Sequence, residues 1–152
     1  MSYPPDWINY GSYYDEFIDT IATFQAENDT LGRPALLILS KSTNLDGEVA
    51  KTAKDYANTF FTDQEKFIDG YKVIELETEG ITMDGRPAYR QVASYNICVE
   101  DCGDEEKRGK MLEVGIMNDD GRIIAINYDV YESDYDKYLS IAQKMIDSLE
   151  LK

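Results

Sequence analysis

Apolar residues recur along this chain with two different spacings, and the change from one to the other separates strands from helices. In residues 20–26, Ile21, Thr23 and Gln25 alternate with Ala22, Phe24 and Ala26, and residues 35–43 read Ala-Leu-Leu-Ile-Leu-Ser-Lys-Ser-Thr. This pattern predicts two strands, and Glu27-Asn28-Asp29 with Gly32-Arg33-Pro34 predicts the turn between them. Residues 46–61 shift to the helical period, with Val49, Ala50, Ala53, Tyr56, Ala57, Phe60 and Phe61 on one stripe and Asn44 or Asp46 available as N-cap. Further extended segments are predicted at 71–79, 87–98, 110–117 and 122–130, with Asp84-Gly85 and Asn118-Asp119-Asp120-Gly121 as hairpin turns. Within them Ile74 and Leu76 alternate with Glu75 and Glu77, and Leu112, Val114 and Ile116 with Glu113 and Gly115. One sheet face is therefore expected to be buried and the other polar. Residues 134–149 carry a second helical stripe, Tyr135, Tyr138, Leu139, Ala142, Met145, Ile146 and Leu149, and Ser133 with Asp136 has the spacing of a capping box.

Short turns between strands imply antiparallel pairing, and two helices separated by a run of strands exclude repeated βαβ units. The fold class expected is α+β, a central antiparallel sheet carrying two main helices, as a single domain over residues 3–152. Tyr3-Pro4-Pro5-Asp6-Trp7 and Tyr10 suit an extended edge segment that drops a large aromatic side chain into the core.

Composition narrows the partners. Hydrophobic residues at 43% and aromatic residues at 12% are far above the range in which chains stay disordered. Thirty acidic against fifteen basic residues give a net charge of -15, which repels phosphate backbones and anionic headgroups. Nucleic acid and direct membrane-surface binding are excluded as partners, and a solvated acidic surface on a monomer is expected. No apolar run is long enough to span a bilayer. A halophilic or extracytoplasmic setting would give such a composition, and a leader or export signal is expected to have preceded Tyr3.

Histidine is absent, which removes Ser-His-Asp, Cys-His and mixed zinc sites. The glycines stand singly at turns, so no phosphate-cradling loop is present, and paired carboxylates carry no signal where thirty acids guarantee them. The twelve tyrosines read as packing residues with hydroxyls at the core rim. Cys98 and Cys102 are close enough in sequence for a small disulfide ring, at the low end of the roughly 2 to 4 kcal/mol typical of such bridges. Two reduced thiols in a cytoplasmic protein, or a soft-metal pair short of ligands, are the alternatives. The same loop offers Glu100, Asp101, Asp104 and Glu105 as hard oxygen donors for a divalent cation, without EF-hand spacing; a solvated acidic loop neutralised by Lys107 and Arg108 competes with that reading.

In their order, the Tyr3-Pro4-Pro5-Asp6-Trp7 opening, the Gly85-Arg86-Pro87-Ala88 turn before a long strand, and the closing Ile146-Asp147-Ser148-Leu149 helix end resemble the PsbP-like family over nearly the whole chain. The resemblance implies an αβα sandwich like that of photosystem II extrinsic proteins and Mog-type proteins, used for binding and accessory roles more than for catalysis. It also implies an exported or lipid-anchored protein. Leu149 stands where an aromatic residue is common, and Cys98 to Cys102 form an insert, so photosystem-specific residues are not carried over. The expectation is a non-catalytic, extracytoplasmic accessory or binding domain that recognises a protein partner or divalent cation through an acidic surface, with no certain cofactor. A metal-assisted enzyme built on a carboxylate cluster is the alternative.

Overall fold

Alternation along each strand becomes register in the computed structural model, which describes residues 5, 7–11, 13–14, 18–26, 35–42, 52–97, 108–119 and 122–150. In chain order the elements are β1 (Trp7–Asn9), β2 (Tyr13–Tyr14), β3 (Ile18–Ala26), β4 (Leu36–Ser42), α1 (Ala53–Phe67), β5 (Lys72–Glu77), β6 (Thr82–Met83), β7 (Arg86–Asn96), β8 (Arg108–Met117), β9 (Ile123–Tyr131) and α2 (Tyr135–Asp147). A 3-10 turn at Glu132–Asp134 leads into α2. The strands pair antiparallel in the order β1-β3-β4-β9-β8-β7-β5, with β2 on β3 and β6 on β7. Hairpins account for most neighbours. The β4–β9 pairing, with Leu37 opposite Tyr128 and Leu39 opposite Ile126, joins the early strands to the late ones.

The two faces of the sheet are covered by different helices. Val92, Leu112, Val114, Ile116, Ile126 and Tyr128 share one face with Ala142, Met145 and Ile146 of α2 in the main core. Trp7 is 2% exposed and enters this core from the edge strand β1, its ring edge-on to Tyr138 at 6.4 Å. On the opposite face Ala53 and Ala57 of α1 pack on Tyr89 and Ile123, beside a smaller group around Tyr71, Ala93 and Tyr95. The expected α+β arrangement, helices on an antiparallel sheet, is the architecture found, with one helix on each face. The Asp84-Gly85 turn forms as expected, both residues having positive φ, at 50° and 73°.

Several local expectations are corrected. Helix α1 spans Ala53–Phe67 and is capped by Thr52, whose hydroxyl accepts from the Asp55 amide at 3.0 Å. Thr-Ala-Lys-Asp is itself an N-cap sequence, and it takes the role assigned to Asn44 or Asp46. The Ser133–Asp136 capping box does not form: Ser133 lies in the 3-10 turn, and Asp134 at the N-cap makes no side-chain capping bond. In β5 the alternation is broken by a bulge between Val73 and Glu75, and the strand is an edge, so Ile74 and Leu76 are 47% and 42% exposed. The face expected to be polar carries Gln91 and Glu113, and α1 lies over it, as an αβα sandwich requires.

Candidate functional site

The residues singled out in the sequence as metal donors, Glu100, Asp101, Asp104 and Glu105, and the Cys98–Cys102 pair lie outside the described residues. The strands on either side of them pair with Asn96 opposite Arg108. Among the described residues no group of three or more Asp, Glu, Cys or His side chains is placed to hold a metal ion.

A polar cluster that sequence reasoning missed lies under α1. One register row across β7, β8 and β9 places Gln91, Glu113 and Asn127 side by side. Gln91 is 0% and Glu113 is 2% exposed, among the few buried polar side chains described. Two strand glycines build the site. Gly115 is opposite Tyr89, and a Cβ at that glycine would come 2.1 Å from the Tyr89 ring; Gly109 is opposite Tyr95, with a ring atom 2.5 Å from the same position. Each tyrosine ring therefore lies flat across the glycine of the neighbouring strand, which only a residue without a side chain allows. Laid over in this way, the Tyr89 hydroxyl donates to Glu113 Oε1 and the Tyr95 hydroxyl donates to Asp129 Oδ1.

Helix α1 closes the cluster from above. Its small residues Ala53 and Ala57 let the helix approach, and the Tyr56 ring stacks on Tyr89 at 6.0 Å with 23° between the planes. At the end of the row, Gln91 Nε2 donates to the Tyr71 hydroxyl at 3.0 Å. Asn127 Oδ1 is buried without a hydrogen-bond partner.

Burial pushes the Glu113 carboxyl up to about 7, against the opposing pull of the Tyr89 hydrogen bond. The tyrosines answer the same desolvation: Tyr71 is pushed up to about 12, and Tyr56 and Tyr89 rise further, first through burial and then through the nearby Glu113 charge. Glu113 is thus the one buried acid of the described residues, able to take up or release a proton near neutral pH, and its immediate partners are other side chains of the fold. The tyrosine hydroxyls expected at the core rim are here inside it. Gly115, inside the strand expected at 110–117, was the available signal, because glycine in a strand interior marks a close approach; Gly109 fell just outside it.

No family model matches the chain, and no curated protein matches it. Among solved structures it is similar to PA94 of Pseudomonas aeruginosa, a protein of unknown function, with a TM-score of 0.69 and 15% identity over 92% of this chain and 86% of that one. It is also similar to the cyanobacterial PsbP protein CyanoP of Synechocystis sp. PCC 6803, with a TM-score of 0.57 and 18% identity over 99% of this chain and 84% of that one. The fold is PsbP-like. Within a PsbP-like sandwich the Glu113 cluster occupies the layer between sheet and α1, while other acids, among them Asp55, Glu65, Glu77 and Asp147, are exposed. No described helix is long and apolar enough to cross a membrane.

Proposed function

We propose that this chain is a non-catalytic accessory domain working outside the cytoplasm, which recognises a protein partner through its acidic outer surface. The observation that carries the reading is the inward pairing of its polar chemistry. Tyr89 with Glu113, Tyr71 with Gln91 and Tyr95 with Asp129 bind one another between sheet and helix, leaving exposed carboxylates as the groups that meet other molecules. A net charge of -15 favours basic partners, speeding their encounter and weakening with salt. The PsbP-like fold supports an accessory role by analogy.

Affinity capture of partners with the wild-type chain and with a variant carrying Asp55→Lys, Glu65→Lys and Asp147→Lys tests this reading. Capture at low salt that is lost in the variant and at high salt supports it. Equal capture by both proteins, or calcium or manganese raising the melting temperature while capture stays unchanged, would replace it with a surface-independent or cation-binding role.

A further inference from the structure

We infer that the outer edge of β5 is a docking site for an extended, basic segment of a partner protein, which adds itself to the sheet as a further strand. The inference rests on the acidic-surface reading and gives it a place.

The strand path ends at β5, which is paired on one side by β7 and has no strand on its other side among the described residues. A sheet edge presents a row of backbone N–H and C=O groups that is a template for another chain, so edges are usually short or blocked. At the opposite end of the path, β1 is three residues long and turns Trp7 into the core. Strand β5 has six residues, and its burial pattern is exposed at every position except Val73. Ile74 at 47% and Leu76 at 42% exposure are apolar side chains left at this edge. Lys72 and the bulge protect its first half only. Beyond the bulge, Glu75, Leu76 and Glu77 run in regular register against Val92, Gln91 and Arg90.

Those three residues specify the visitor. Glu75 and Glu77 point to one face of the sheet and Leu76 to the other. A strand that sets basic residues beside both glutamates and an apolar residue beside Leu76 matches each cross-strand neighbour, while its main chain completes the open edge. Glu75 already faces Arg90 Nη1 at 3.4 Å with its side chain 60% exposed, which leaves Glu77 as the freer attraction. The charge of -15 favours a basic segment over a second copy of this chain, which would bring the same charge.

The test is a titration of the isotope-labelled full chain with the peptide Arg-Val-Arg-Val-Arg and its isomer Val-Val-Arg-Arg-Arg, read by amide shifts and amide hydrogen exchange. Saturable shifts and slowed exchange at Glu75–Glu77, an isomer about tenfold weaker, and a similar loss in Leu76→Lys and Glu77→Lys support the inference. Both substituted residues are exposed, so the melting temperature should stay unchanged and serve as the folding control. Equal binding of the two peptides, or shifts spread over other acidic surfaces, overturns the edge site and leaves the acidic-surface reading standing. No binding of either peptide at low salt overturns both. A concentration-dependent dimer abolished by Glu77→Lys assigns the edge to a second copy and overturns the partner inference.

Discussion

The two faces of the sheet are built from different chemistry although they share the same strands. Under α2 the face is mainly apolar, with Leu37, Leu112, Ile116 and Ile126 each at 0% exposure beside Tyr128 and Trp7; under α1 it is a layer of tyrosines, Gln91 and Glu113 seated against alanines. Burial of the first is favourable mainly because apolar area leaves water, the Tyr128 hydroxyl there being satisfied by the Tyr135 carbonyl. Burial of the second is favourable only while every polar group finds its partner, since a buried group left unpaired costs about 1–3 kcal/mol. The α2 face therefore supplies stability. The α1 face supplies a particular arrangement, and one that depends on pH.

The largest test of this contrast is Leu112→Ala on the α2 face, expected to lower unfolding free energy by about 4 kcal/mol in urea denaturation through lost burial and a residual cavity. A cost near that of a surface change would mean that the α2 face is not the main core. Next comes Glu113→Gln, which separates the faces by pH. The Glu113 pKa is raised in the folded chain from 4.5 to about 7, so its contribution is fully present below pH 4.5 and is lost as pH rises through 7. Wild type should lose on the order of 3 kcal/mol relative to Glu113→Gln across that window. Parallel stability curves for the two proteins would show that the carboxyl is not held in a desolvated site.

Gly115→Ala should cost about 2 kcal/mol by forcing the Tyr89 ring aside, and the near-ultraviolet circular dichroism of the tyrosines should change with it. Thr52→Ala removes the α1 cap at about 1 kcal/mol, measured by the urea midpoint. Smallest of all, Lys54→Met breaks the exposed ion pair with Glu79 at 2.6 Å and should leave that midpoint unchanged.

Much of the sheet was legible in the sequence because alternation and hairpin turns are local signals. The strand segments, the Asp84-Gly85 turn and the α2 stripe needed nothing beyond neighbouring residues. Helix α1 was displaced because Val49 and Ala50 extended its stripe backwards, whereas Thr52 and Asp55 held the stronger start signal. The pairing of β4 with β9 has no local marker. Glu113 read only as a residue of the more polar face for the same reason: alternation tells which side of a strand a residue takes, and a helix from elsewhere in the chain decides whether that side is wet. β5 shows the converse, where Ile74 and Leu76 read as buried and, among the described residues, no helix covers their edge.

Tyr89 and Gly115 divide a single volume between them, and Glu113 depends on how they divide it. A side chain gained at position 115 must be matched by a loss at 89, and once that hydroxyl is gone the acid at 113 becomes a liability best replaced by an uncharged residue. Two of the positions share β8 and the third lies across the ladder on β7, so the three should change together. Tyr89→Leu together with Glu113→Gln should accordingly rescue Gly115→Ala.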